Sequence, residues 1–387
     1  MHIRSFFMLF SLFVHLSLSA TEHLRIEVIS SNNYRLNNSY QRMLLPERID
    51  TEPYLSLQGY AKLTLKPRQR DEIENLMSIA AWVHKRWAHD PYGVAAPDTT
   101  ALQILRAAEQ GARYSCSEYS KVLRDVFRAY GYVARIATLQ ANDIAYGGLG
   151  TAHVAVEVYS SQLNKWIFLD PQWGLYPQHQ GLPLNLYEYH RLVQEGKADA
   201  VQFLPFQTRL LGTREASDIA EYREFLSLHL GYLSVDLLAD EEKVHVLLAL
   251  QGKSWPLTFQ GLPRNAQIYS TEPNDVYFEL NRVSLVLNYR LDSQPLSKRQ
   301  IDFSSEQDYL QKMPLFAAVP DFQITAHNNM PWFSHYEARI DKGIWKRLRA
   351  DSLDWNLKAG SNHLEIRAVN QKGRAGTITN LDIRYQR

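Results

Sequence analysis

The sequence predicts an α+β chain: a helical core closed by an antiparallel hairpin, followed by a C-terminal β-sandwich region. Three observations carry this. Apolar residues recur at helical spacing through 73–130, and two alternating segments, 150–160 and 164–171, flank a short polar loop. From about residue 236 short alternating runs separated by turn residues take over, as expected of sandwich modules.

The N-terminus reads as a targeting segment over 1–20. MHIR is short and basic, FFMLFSLFVHLSL is apolar, and Ser17 to Ala20 supply small residues for cleavage. A secreted or periplasmic mature chain is the expectation. No later run reaches the ~18 apolar residues of a membrane helix, so no membrane span is expected in the mature chain. Basic and acidic residues number 42 and 41, which leaves no global field to recruit nucleic acid or anionic lipid. The 387 residues contain one cysteine, so no internal disulfide forms.

Residues 21–68 read as a β-leaning lead-in with LRIEVIS and AKLTL as strands. A domain over 69–235 follows. In DEIENLMSIAAWVHKRW, Ile73, Leu76, Met77, Ala80, Val83 and Trp87 share one helical face. The loop AHDPYGVAAPD is rich in breakers, and Thr100 to Gln103 fits a capping box for a helix that stops at Gly111. Ser115 to Glu118 has S-x-x-E spacing, which makes Ser115 an N-cap and Cys116 the first helical residue. Tyr119, Val122, Leu123, Val126, Phe127 and Tyr130 give that helix an unbroken apolar stripe, ended by Gly131. Cys116 thus sits at the positive pole of a helix dipole, an environment that lowers a thiol pKa.

YVARIATL, GTAHVAVEVYS and NKWIFLDP read as strands. Asn185 to Glu188 caps a further helix, and 214–233 reads as another. The β-rich region 236–387 holds one or two sandwich modules, the last over about 316–387. Its runs are VHVLLAL, NAQIYST, VYFEL, SLVLNYRL, DFQITA, YEARID, HLEIRAVN and TITNLDIRY. The final stretch resembles the last strands of bacterial immunoglobulin-like or fibronectin-type domains.

Register gives the hairpin its chemistry. With a symmetric loop, Glu157 opposes Trp166, Ala155 opposes Phe168 and His153 opposes Asp170, all on one face. Val154, Val156 and Val158 then line the other face with Leu169 and Ile167. A slip of one residue would mix the two sets, so this register or one two residues away is favoured. Same-face neighbours have Cβ atoms about 4.5–5.5 Å apart, within reach of a carboxylate–imidazole hydrogen bond. Asp170 would orient His153, and the second ring nitrogen would meet a third group, for which Cys116 is the natural candidate.

These residues resemble the transglutaminase-like superfamily. The resemblance rests on Cys116 at a helix start, the Gly131-Tyr-Val-Ala-Arg135 stretch, His153 at the head of HVAVEVY, and KWIFLDP ending in Asp170-Pro171. It covers roughly residues 70–200. It implies a papain-like α+β fold, with Cys116 as nucleophile, His153 as base and Asp170 as orienting acid. It also implies acyl transfer from, or hydrolysis of, amides through a thioester. Ser115 and Ser117 stand where many relatives have Gly or Trp, and Val-Ala-Val follows His153 where an aromatic residue is frequent. Both departures bear on substrate preference.

The expected substrate is a peptide, protein or cell-wall amide. The alternative is a non-catalytic scaffold that uses its C-terminal modules for cell-surface contacts. No cofactor is implied, and the histidines lack metal-ligand spacing, so no catalytic metal is expected. Gly147 to Gly150 precedes a strand rather than a helix, which excludes a phosphate loop. Trp173 and Tyr176 follow Asp170 closely and are read as core packing ahead of the alternative, walls of a cleft; Glu118 is read as a capping residue, and Asn37-Asn-Ser39 as a glycosylation triplet.

Overall fold

A computed structural model of the chain describes residues 25–33, 48–65, 71–144, 152–207, 216–239, 242–251, 266–289, 302–312 and 321–386. The N-terminal targeting segment, the Asn37 triplet and the glycine run at 147–150 lie outside them. The chain opens with strand β1 (Arg25–Ser31) and helices α1 (Tyr54–Ala61), α2 (Glu72–His84), α3 (Ala101–Glu109) and α4 (Cys116–Ala129). Strands β2 (Ala134–Gln140), β3 (Ala152–Ser160), β4 (Lys165–Leu169), β5 (Leu175–His179) and β6 (Leu182–Pro183) follow. Next come α5 (Leu186–Gln194), β7 (Gln202–Pro205) and α6 (Ala216–Leu228). The rest is β8 (Tyr232–Ala239), β9 (Glu242–Ala249), β10 (Ala266–Ser270), β11 (Val283–Tyr289), α7 (Glu306–Lys312), β12 (Asp321–Asn328), β13 (Phe333–Ile340), β14 (Lys346–Arg347), β15 (Ser352–Asn356), β16 (Gly360–Asn370) and β17 (Thr379–Gln386).

Helices α1 to α4 pack on a six-stranded sheet of order β10-β9-β8-β2-β3-β4. The stripe on α4 explains the contact: Val122, Leu123, Val126 and Phe127 bury against Val156, Val158, Ile167 and Leu169. The opposite face of the sheet presents Ala155 and Phe168 to a second core with α5 and α6 residues such as Leu186, Tyr189, Tyr222 and Leu226. Strand β3 is therefore buried on both sides.

The capping boxes read at Thr100 and Asn185 are both formed, each side chain accepting from the third helical N–H while the cap residue's own N–H donates to the side chain of Gln103 or Glu188. The C-terminal strands form a sandwich. Leu364, Ile366, Leu381 and Ile383 of one sheet face Leu285, Phe322, Ile324 and Trp355 of the other.

Several elements differ from expectation. AKLTL forms no strand: it is the end of α1 and the turn after it, because Leu57, Ala61 and Leu65 bury at helical spacing while Leu63 faces solvent. LRIEVIS is a strand, but it completes the C-terminal sandwich, with Ile26 opposite Tyr385 and Val28 opposite Ile383. VHVLLAL and NAQIYST belong to the core sheet, as β9 and β10, rather than to a sandwich. Val246 and Leu248 enter one core and Leu247 and Ala249 another, which is why the run is apolar without alternation. VYFEL makes no ladder, yet Val276, Phe278 and Leu280 bury, so its alternation records packing alone. The helix read over 214–233 ends at Leu228, and Tyr232 already starts β8.

The sandwich grips the far end of the core from Cys116. Asn370 donates to the Gly131 carbonyl (2.8 Å), and Arg374 donates to Tyr130 O (3.0 Å) and stacks on Tyr132. Asn281 donates to Ser161 in the β3–β4 loop (2.9 Å). All three contacts lie at the C-terminal end of α4 or the loop end of the hairpin, with the length of α4, about 20 Å, between them and Cys116.

A fully buried ion pair ties the layers together. Arg135 on β2 donates Nη2 and Nε to Glu157 Oε2 on β3 (2.6 and 3.0 Å), and Nη1 to Val276 O. Glu157 Oε1 accepts from Tyr277 OH and from the first N–H of α5. Arg135 also lies over Trp166, 3.8 Å from the ring centroid. Every polar position of Glu157 is filled, so Glu157→Gln strands a buried guanidinium. A loss of about 3–5 kcal/mol is expected, read as a fall in the urea midpoint of unfolding.

Candidate active site

Cys116 is the first residue of α4, and Ser115 is its N-cap with extended backbone. The reciprocal capping box does not form. Ser115 Oγ donates instead to Glu118 Oε2 (2.8 Å), and Glu118 Oε1 accepts from Ala95 N (3.0 Å). Glu118 thus ties the helix to the preceding loop rather than capping it, and no side chain caps the first turn. The 89–95 loop braces the same turn: His89 bridges Tyr114, Asp90 N donates to Tyr114 O, and Ser115 N donates to Gly93 O (2.8 Å). A Cβ on Gly93 would lie 2.2 Å from the Arg113 carbonyl, so this approach needs glycine. One turn into α4, Tyr119 stacks on Trp87 and donates to its carbonyl.

The hairpin adopts the second of the two favoured registers. Tyr159 opposes Trp166, Glu157 opposes Phe168 and Val156 opposes Leu169. The closing pair is Ser160 with Lys165, and Asn164 takes the left-handed conformation that ends the loop. The shift of two leaves both faces as expected, but Asp170 is diagonal to His153 rather than opposite it. The ladder stops at Leu169, ahead of Pro171, and Asp170 bridges Leu175 in a tight turn. Gly174 makes that turn at φ +67, where a Cβ would meet the His84 ring at 2.8 Å.

The three residues singled out in the sequence meet. His153 Nε2 lies 2.8 Å from Asp170 Oδ2, with the two side chains 3% and 0% exposed. Cys116 lies within interaction range of His153, whose Nδ1 is the nitrogen that Asp170 leaves open, and of the Val154 backbone. Ser120, one turn on, donates to Val154 O (2.9 Å), so positions i and i+4 of α4 both meet the backbone of Val154 on β3. Asp170 Oδ1 accepts from Gln172 N and Trp173 N (both 3.1 Å), and Oδ2 also accepts from Tyr222 OH (3.0 Å). The end of α6 covers the imidazole, with Phe225 edge-on at 5.0 Å and His229, just past the helix, at 6.3 Å between centroids.

Burial pushes the Cys116 thiol up, but the hydrogen bond and charge of His153, with the Val154 backbone, outweigh it and hold the thiol below its ordinary value. Burial alone would lower His153. The Asp170 carboxylate and the Cys116 partner outweigh it and raise the imidazole to about 10. Both shifts favour a thiolate–imidazolium pair. His89 is pushed down by burial and by the positive charge of His153.

Residues 61–171 match the transglutaminase-like superfamily. The match ends just past Asp170 and takes in Cys116 and His153. Similar solved structures include a candidate cysteine protease from Cytophaga hutchinsonii, at 15% identity and TM-score 0.27, covering 44% of this chain. The chain spans 52%, about half, of that protein's length. Red sea bream transglutaminase is similar at 11% identity and TM-score 0.24, over 84% of this chain and 72% of the fish chain. No curated protein matches the sequence.

Trp173, read as core packing, is half-buried and packs on Tyr222 and Phe225 of α6. The α6 residues at the site were not singled out in the sequence. Their signal is the helical spacing of Tyr222, Phe225 and Leu226, continued by His229 just past the helix. Among the described residues no cluster of His, Cys, Asp or Glu could hold a metal.

A histidine raised from 6.5 to about 10 contributes stability that is fully present below pH 6.5 and is lost as pH rises through about 10. Wild type should therefore lose its margin over His153→Gln as pH is raised from 7 to about 10, read from paired denaturant midpoints.

Proposed function

We infer that the protein is a cysteine-dependent acyltransferase or hydrolase that attacks an amide carbonyl and passes through a thioester on Cys116. The supporting observation is the geometry of Cys116, His153 and Asp170: a thiol at a helix start against one imidazole nitrogen, with a buried carboxylate on the other.

The chemistry follows from these groups. The Cys116 thiolate adds to the carbonyl carbon, forming the C–S bond and moving the π pair onto oxygen. The Cys116 N–H, in a first turn that no side chain caps, faces that oxyanion. The oxyanion collapses, the C–N bond breaks, and the leaving amine takes the proton of the His153 imidazolium. Neutral His153 then removes a proton from water or an acceptor amine as it attacks the thioester. Collapse expels the Cys116 thiolate and restores the ion pair. Asp170 keeps the ring oriented and stabilises its cationic form.

The apolar, cleavable character of residues 1–20 supports export, and a peptide or cell-wall amide is the substrate class this reading favours. No described helix is long and apolar enough to cross a membrane.

Incubating the full chain with peptide and cell-wall fragments, followed by mass spectrometry, should trap an acyl adduct on Cys116. Cys116→Ala should give none, and Asp170→Asn should slow turnover on the order of 10³-fold or more. A Cys116→Ala protein that turns substrate over like wild type would contradict the reading.

A further inference from the structure

Asp170 is completely buried and receives four donors. Two backbone N–H groups, from Gln172 and Trp173, hold Oδ1, while Oδ2 is shared between His153 Nε2 and the Tyr222 hydroxyl. Four donors are what an ionised carboxylate accommodates. Three come from residues 153–173. The fourth comes from α6, 52 residues further along the chain than Asp170.

Tyr222 is itself fully buried, with its ring against Phe203 at 5.2 Å and Trp173 at 5.1 Å. Tyr222 and Phe225 of α6 and His229, the residue just after that helix, converge on the His153–Asp170 pair. The two bonds to Oδ1 already fix the plane of the carboxylate, so orientation does not require the phenol. What the phenol changes is the charge on Oδ2. A second donor on that oxygen withdraws electron density from the bond to His153. The imidazolium must surrender its proton to a leaving amine, so a carboxylate that binds it too strongly slows that step.

We propose that Tyr222 is a positioning residue that acts through Asp170, sharing Oδ2 with His153 so that the carboxylate's hold on the imidazolium proton is weakened. It donates a hydrogen bond throughout and transfers no proton. The proposal rests on the thiol acyl-transfer reading of the site. The titratable and charged groups around His153 are Cys116 from α4, Asp170 after β4, His229 just after α6 and His89 from the loop before α3. Tyr222→Phe leaves every one of them in place.

The test is the pH profile of Cys116 alkylation by iodoacetate in the full chain. The reagent's carboxylate is drawn to the imidazolium, so its rate falls where His153 loses its proton. Tyr222→Phe should move that falling limb to higher pH by roughly half a unit to one unit. Site-specific 3-fluorotyrosine at position 222, a stronger donor, should move it to lower pH. Tyr189→Phe is the control: Tyr189 is equally buried, and its hydroxyl has no partner among the described residues. Its limb should coincide with wild type.

If wild type shows the limb and neither Tyr222 variant moves it, this proposal is overturned while the ion pair stands. A wild-type profile without the limb removes the ion pair, and both readings with it. Should Tyr222→Phe fail to fold, the fluorotyrosine protein decides alone, since it changes donor strength without removing the hydroxyl.

Discussion

Strand β3 is buried on both faces, and the site depends on that constraint. Val156 and Val158 must meet the apolar stripe of α4, which commits His153, Ala155 and Glu157 to the other side. The polar side is then satisfied in two places. Glu157 takes Arg135 near the middle of the sheet, and His153 takes Asp170 at its end. Neither carboxylate is left with an empty acceptor position. A one-residue slip of the hairpin would bury Glu157 and His153 under α4 and expose the valines to Asp170, so register and chemistry are one constraint.

The ends of this arrangement are fixed by backbone rather than by side-chain packing. The 89–95 loop holds the N-terminus of α4 through Gly93 O and the Ala95 N–H, and Glu118 acts as its hook. The 170–175 turn holds Asp170, with Gly174 packed against His84. Thiol and carboxylate thus sit on short segments that cannot drift independently of α4 and β4. The C-terminal sandwich contributes at a distance, clamping Gly131 and the β3–β4 loop, so its contacts stiffen the frame without lining the Cys116 end.

Much of this was legible in the sequence. The stripe on α4, the N-cap at Ser115 and the period-two pattern of the hairpin each report a local rule, and together they nominated Cys116, His153 and Asp170. What was missed depends on long-range pairing. The sequence pattern allows two hairpin registers because both keep the faces. The loop settles it, through Asn164 in the left-handed region and Pro171 ending the ladder. The β1 strand was visible but not its partner β17, more than 350 residues away. The β9 run read as sandwich because strand pattern does not say which sheet a strand joins. Tyr222 looked like any apolar position on a helix, and its hydroxyl acquires meaning only when α6 is folded over Asp170.

The central proposal is that Cys116 and His153 form a thiolate–imidazolium pair held by Asp170. The most direct measurement is the ultraviolet absorbance of the thiolate, followed against pH as the difference between wild type and Cys116→Ser. Wild type should already show the thiolate near neutral pH, and in His153→Ala its appearance should shift to the alkaline range of an ordinary thiol. A wild-type signal that emerges only in that alkaline range would contradict the ion pair.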